Sequence, residues 1–372
     1  MSPSSGSDVR ERLAGACLDL VRIPSVTGDE AAVARHLERW ARAQRQLAGD
    51  DVIRRGDALI VGQPDGERPV VALVGHLDTV PPHPDDGAPM LRDGRVIGRG
   101  ASDMKGSIAV MQVLFETLPL EQLPFALMLV LYPREEGAYA DNGLQPLLET
   151  YDMLRSLDLA LVMEPTDNTL QLGCLGTLHA EVTYRGRAAH SARPWEGENA
   201  IHAAAPLLAR LADNRPWREV DIGGLVFTEA MSVTMAHGGR ARNVIPDVFE
   251  LNVNYRFAPV GDPQTAMRKA VAEVTKVVAP AEVIVRDMAP PGPVPQGNPI
   301  LAHLRKRANL AVGPKLAWTD VARLASYGVD AVNFGPGSGT QAHQAGEWIG
   351  VDAMVKSYEA LVTALTSSLG SY

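Results

Sequence analysis

The chain has 372 residues, of which 46% are hydrophobic and 21% charged, an ordinary globular composition with ample material for two cores. Its net charge of −9, from 35 basic and 44 acidic residues with no dense Lys/Arg block, argues against a nucleic-acid partner or an anionic membrane surface. The two cysteines, Cys17 and Cys174, offer neither a disulfide framework nor a Cys-based zinc site, and no apolar run approaches the ~20 residues of a membrane span.

The opening "MSPSSGSDVR" lacks the basic start and apolar stretch of a secretion signal, so a cytoplasmic location is expected. Apolar spacing then predicts helices over Asp8–Leu20 and over about Glu30–Leu47. Four almost wholly apolar runs follow along the chain: "VVALVGHLD" (70–78), "FALMLVLYPREE" (125–136), "DLALVMEP" (158–165) and "VDAVNFGPG" (329–337). Such runs predict strands of a mostly parallel sheet covered on both faces, the α/β arrangement. Between the first two, "DMKGSIAVMQVLFETL" (103–118) predicts a helix from Ile108 onward. Ligands of such sheets gather at the carboxyl ends of the strands. Here those ends carry His76, Asp78, Glu135, Glu136 and Glu164.

The texture changes over 178–287. "LHAEVTYRG", "MSVTMAH", "VFELNVNYRF" and "AEVIVRD" read as strands, and "ENAIHAAAPLLARLA" and "TAMRKAVAEVTKVV" as helices. The resulting order β-α-β-β-α-β is that of an α+β ferredoxin-like unit. The Pro/Gly-rich "APPGPVPQGNP" (289–299) closes it, and the α/β pattern resumes, ending in a helix over about Asp352–Leu369. A smaller domain inserted into a larger one is expected, with 1–176 and 289–372 forming the catalytic domain and 177–288 the insertion.

His76 and Asp78 stand at i and i+2 just past a strand, so in extended chain both leave the same face. A carboxylate so placed can orient a metal-binding imidazole. Asp103 precedes a helix, Glu164 follows a buried strand, and His343 lies in a glycine-rich loop beyond another. Taken singly, each has an ordinary explanation: a loop histidine, an N-cap aspartate, a strand-end glutamate. Together they supply enough O and N ligands for two metal ions, and bound cations would relieve the repulsion among the carboxylates. Glu135 and Glu136 pose a separate question, because neighbouring strand residues point to opposite faces. Gly137 is expected to supply the turn that brings both to one site.

The ordered motifs "GHLDTVPP", "GRGASDMKGS", "EEG", "MEPT" and the late "AH" resemble the M20 family of dinuclear zinc amidohydrolases. Across the insertion, "GRAAHSARPWEGENAI" and "RNVIPD…NVNYRFAP" are similar to its succinyl-diaminopimelate desuccinylase branch, the actinobacterial type in particular, as is "LAWTDVARLASYGVDAVNFGPG". The resemblance spans almost the whole chain. It implies a zinc-peptidase-like catalytic domain, an inserted lid and dimerisation domain, and a homodimer formed through that lid. It further implies two Zn2+ per chain, replaceable by Co2+ or Mn2+. His76, Asp103 and Glu164 would hold one ion, and Asp103, Glu136 and His343 the other, with Asp103 bridging and Asp78 orienting His76. The peptide after Asp103 is expected to be cis. Glu135 corresponds to the general base acting on a water between the metals, and His190 to a lid histidine that donates to the oxyanion. Arg256, Asn243, Arg193 and Thr319, with its neighbour Asp320, correspond to positions that face the substrate.

The small-molecule substrate implied is an N-acyl amino acid, first N-succinyl-LL-2,6-diaminopimelate, hydrolysed to succinate and LL-2,6-diaminopimelate. Arg134, the loop Ser338–Gln341 and Gln344 depart from the desuccinylase pattern, whereas Glu347 matches it. Arg134 would stand beside the base, lowering its pKa or meeting a substrate carboxylate. A paralogue acting on an acetylornithine-like compound or a specialised-metabolism intermediate therefore stays open. So does a non-catalytic ligand-binding member, against which the complete ligand set counts.

Overall fold

In the computed structural model, which describes residues 6–213 and 215–369, the apolar runs become the middle of an eight-stranded sheet. Its order is Val52–Arg55, Ala58–Val61, Ala126–Tyr132, Val70–His76, Leu159–Val162, Ala331–Asn333, Leu170–Leu172 and Val312–Pro314. Ala126–Tyr132, Val70–His76, Leu159–Val162 and Ala331–Asn333 are parallel neighbours. Outside them the pairing turns antiparallel, so the sheet is mixed rather than mostly parallel. One cause is the link between Val52–Arg55 and Ala58–Val61, where the two residues Gly56 and Asp57 can join only antiparallel partners.

The parallel centre is apolar on both faces. Val71, Leu73, Leu127, Leu129, Leu131, Leu159 and Leu161 share one core with the helices, and the alternate residues Ala72, Val74, Met128, Val130, Ala160 and Val162 are buried as well. Full burial of each Val or Leu contributes about 1.5–3 kcal/mol, which places these runs in the middle of the sheet. Helices Gly6–Val21, Gly106–Thr117 and Val351–Thr366 pack on one another. Gly106–Thr117 is buried from Gly106 through Phe115, a span in which Ser107 and Gln112 are the polar residues. The helix expected to reach Leu47 ends at Arg42, where Arg39 and Arg42 occupy a last turn that favours cations. Leu47 packs on the core from the loop beyond.

The chain separates into two compact units, one comprising residues through Leu172, Pro295–Gly313 and Arg323 onward, the other Gly173–Val294 with Pro314–Ala322. The stretch 314–322 thus belongs to the second unit, although the sequence places it where the larger domain resumes. The second unit carries a five-stranded antiparallel sheet in the order Arg218–Ile222, Leu225–Gly238, Val248–Phe257, Gly176–Arg185, Glu282–Ala289. Four of these strands and the helices between them follow the ferredoxin-like order. The fifth, Arg218–Ile222, is an addition the sequence reading did not contain. It is a mostly exposed edge strand in which charged residues alternate with half-buried apolar ones from Glu219 on, attached through Gly223 and Gly224 at φ +62° and +86°.

Candidate metal centre and active site

Every strand end in the parallel centre of the first unit delivers a polar side chain or the loop that carries one. His76 is the last residue of Val70–His76 and is 1% exposed. Its Nδ1 lies 3.0 Å from the Asp78 carbonyl oxygen and 3.5 Å from Asp78 Oδ1. Its Nε2 lies 3.0 Å from Asp103 Oδ1 and 4.0 Å from Glu164 Oε1. The Nε2 of His343 is 2.9 Å from Glu136 Oε1 and 3.7 Å from Asp103 Oδ2. Asp103 therefore turns one carboxylate oxygen towards each imidazole. Burial opposes protonation of His76, but the carboxylates of Asp103 and Asp78 prevail and hold its pKa well above the usual value. The hydrogen bond to Glu136 likewise raises that of His343, against the effect of burial.

The donor atoms of His76, Asp103 and Glu164 lie within 4.8 Å of one another, as do those of Asp103, Glu136 and His343. Ligands at ~2.0–2.1 Å around a tetrahedral zinc stand roughly 3.3 Å apart, so both groups fit a divalent cation in spacing and donor chemistry. Asp103 serves in both groups and is not an N-cap. The cap position of Gly106–Thr117 is Lys105, and it makes no side-chain cap bond. The Asp103–Met104 peptide is cis. Gly337 lies so close to this segment that a Cβ there would collide with the Ser102 carbonyl, while Ser338 N donates to Ser102 Oγ at 2.8 Å.

The adjacent glutamates are brought to one place by Asp78. Pro133 has no N–H and ends the strand ladder after Tyr132. Arg134 then adopts φ +64°, a conformation uncommon outside glycine. Glu30 Oε1 supports that turn, accepting from Arg134 N at 3.2 Å and Gly28 N at 2.8 Å. The next two peptides both point at one buried carboxylate: Glu135 N donates to Asp78 Oδ1 at 2.9 Å and Glu136 N to Oδ2 at 3.0 Å. Thr27 Oγ1 adds a third donor at 3.0 Å. Burial pushes the Asp78 pKa up, but His76 and these peptides more than offset it and leave it lowered. Glu135, Glu136 and His76 offer donor atoms within 4.8 Å of one another.

Two expectations change here. The turn is made at Arg134 rather than at Gly137, which is not among the glycines with positive φ. The exposed Arg134 lines a cavity of about 460 Å³ with Glu30, Arg55 and Asp57, and no member of the candidate metal-ligand groups is in that lining. Asp78 also does more than orient His76, since the closest partner of His76 Nδ1 is the Asp78 main chain while the carboxylate grips the Glu135–Glu136 peptides. Sequence reasoning missed the place of Glu347, which is 1% exposed beneath the Asp103 loop. An acid between Gly346 and Trp348 gives no sign of such burial.

The remaining candidates belong to the second unit. His190, Arg193 and Asn243 are exposed. Their loops run side by side, with Ser191 N donating to Asn243 O at 3.0 Å, and His190 Nδ1 accepts from Ala192 N at 3.0 Å. Arg256 is half-buried on Val248–Phe257, and burial lowers its pKa. Thr319 is buried, with its carbonyl 3.7 Å from Cys174 Sγ and its Oγ1 without a hydrogen-bond partner among the described residues.

Residues 72–367 match the family described as Peptidase family M20/M25/M40. A protein of Mycobacterium tuberculosis described as a candidate succinyl-diaminopimelate desuccinylase, DapE, is 37% identical over 345 residues, covering 92% of this chain and 94% of the relative. The succinyl-diaminopimelate desuccinylase of Corynebacterium glutamicum is 34% identical over 352 residues, 91% of this chain and 94% of its own. Among solved structures, a tripeptidase from Staphylococcus aureus superimposes with a TM-score of 0.77 at 21% identity, covering 96% of this chain and 98% of that one.

Proposed function

Since the chain belongs to peptidase family M20/M25/M40, we propose that it hydrolyses the amide bond of N-succinyl-LL-2,6-diaminopimelate, releasing succinate and LL-2,6-diaminopimelate. The observation that carries this reading is the Asp103 carboxylate, with one oxygen facing His76 and the other facing His343, beside the paired Glu135 and Glu136. The similarity to the Corynebacterium glutamicum desuccinylase, and to the candidate desuccinylase of Mycobacterium tuberculosis, supports the substrate.

His76, Asp103 and Glu164 would hold one cation, and Asp103, Glu136 and His343 a second. The all-N/O donor set suits Zn2+, with Co2+ and Mn2+ as substitutes. Such ions, when bound, lower the pKa of a water and polarise an amide carbonyl. Asp78 holds the Glu135 and Glu136 peptides so that the two carboxylates work at one place. Glu135 is the general base: it takes a proton from the attacking water and returns it to the departing amine. The water oxygen bonds to the succinyl carbonyl carbon, the C–N bond breaks, and the electron pair leaves with the nitrogen.

His190 donates to the oxyanion, and Arg256, Arg193, Asn243 and Thr319 receive the substrate's carboxylates and polar groups. In this reading 177–288 is a lid and dimerisation domain between the catalytic segments 1–176 and 289–372. The same reading includes a homodimer formed through the second unit, on which Trp195, Met235, Ile284 and Val285 are exposed. The protein works in the cytoplasm, in keeping with the absence of any described helix long and apolar enough to cross a membrane.

The test is Glu135→Ala. It retains metal while turnover falls by about 10²–10⁴-fold, the usual worth of a positioned base. Unaltered turnover removes Glu135 from this role.

A further inference from the structure

Glu347 is buried four residues beyond His343, and the chemistry above does not use it. Its Oε1 accepts from Ser102 N at 2.8 Å and from Asp103 N at 3.0 Å. Its Oε2 accepts from Gly100 N at 3.0 Å and from Arg99 Nη1 at 3.1 Å. Its own carbonyl accepts from Gly98 N at 2.8 Å. The antiparallel pairing of Trp348 with Ile97 sets this register, placing Glu347 opposite the start of the Asp103 loop. Asp86 extends the network, with Oδ2 2.9 Å from Arg99 Nη2 and Oδ1 accepting from Gly346 N at 2.8 Å.

We propose that Glu347 is a positioning residue for the bridging carboxylate. It fixes the Asp103 peptide directly and ties the Gly98–Asp103 loop to the loop that carries His343, so that each Asp103 oxygen meets its own imidazole. A carboxylate filling its acceptor sites with four donors suits this task because every donor sits on the loop being held. Groups that orient metal ligands typically govern metal affinity by 10–100-fold. Glu347→Gln keeps the shape but leaves one oxygen, so either the Ser102 and Asp103 peptides or the Gly100 peptide and Arg99 would face an NH2 group.

The inference rests on the dinuclear reading, and metal binding without substrate separates the two. Metal-stripped wild type and Glu347→Gln are titrated with Co2+, following stoichiometry, affinity and the visible absorption of the bound ion. Wild type takes up two Co2+; Glu347→Gln binds at least one of them about 10–100-fold more weakly and with an altered spectrum. Glu347→Asp, which keeps the charge but withdraws it by one methylene, falls in between and serves if the Gln variant does not fold. Variants that bind two Co2+ with wild-type affinity and spectrum, whatever their thermal stability, overturn the positioning role. Wild-type protein that binds no Co2+ overturns the dinuclear reading and this inference with it.

Discussion

Asp78→Asn removes one acceptor from a buried group that now serves both catalytic-side peptides. In the native protein Glu135 N and Glu136 N approach separate oxygens of Asp78 at 2.9 and 3.0 Å. An Asn side chain keeps a single oxygen, so one of the two peptides must face an NH2 group. The Thr27 hydroxyl, 3.0 Å from Oδ2, can rotate to accept from that NH2 and so limits the damage to one peptide. A buried donor left without an acceptor costs about 1–3 kcal/mol. Because those peptides carry Glu135 and Glu136, the cost falls on placing these two side chains, and kcat/KM for succinate release should drop by about 5–150-fold. The decline should persist at saturating Zn2+, since Glu135, the proposed base, is displaced along with Glu136, the proposed ligand. A variant with kcat/KM within about twofold of wild type would refute the view that Asp78 organises the adjacent glutamates.

His343→Ala should lower bound metal from two ions per chain to one, because the group of His76, Asp103 and Glu164 remains intact; elemental analysis after dialysis reads this directly. Arg256→Met should raise KM by about 10–100-fold with a much smaller change in kcat, as expected for loss of a charge-assisted contact made equally in ground and transition states. A stability prediction comes from Cys17, whose thiol burial pushes up to about 12. The unfolded chain loses that proton near pH 8.5, so the contribution is complete below that pH and is lost as pH rises towards 12, by up to about 1.4 kcal/mol per unit. Cys17→Ala should therefore lose less Tm than wild type between pH 8 and 10, and parallel curves would contradict the assignment.

The outline of the molecule was legible because burial on both faces leaves a mark in composition. Seven consecutive buried residues from Val70 to His76 can only be apolar until the strand meets its site. The same contrast made the strand-end histidines and carboxylates visible as a set. What escaped the sequence lies in backbone geometry and in partners distant along the chain. Nothing marks Arg134 as a residue at φ +64°, since glycine three positions further on is the better local candidate. Asp78 is legible as a neighbour of His76, but its grip on the 135–136 peptides joins positions 57 and 58 residues apart. Glu347 meets its loop across more than 240 residues, and its burial depends on Arg99 and three peptide N–H groups that no local pattern announces. The edge strand Arg218–Ile222 was missed because its alternation of charged and half-buried residues is weak and brief.

The central claim is metal-dependent desuccinylation, and the most direct measurement is kcat/KM on metal-stripped protein before and after adding Zn2+. The substrates are N-succinyl-LL-2,6-diaminopimelate, N-acetylornithine and an N-carbamoyl amino acid, each followed by release of the free amine. The account predicts negligible release from stripped protein, recovery on loading two Zn2+, and a preference for the succinyl substrate of more than about tenfold, or ~1.4 kcal/mol in transition-state stabilisation. Full activity without metal, or equal or absent activity on the succinyl substrate, would contradict it.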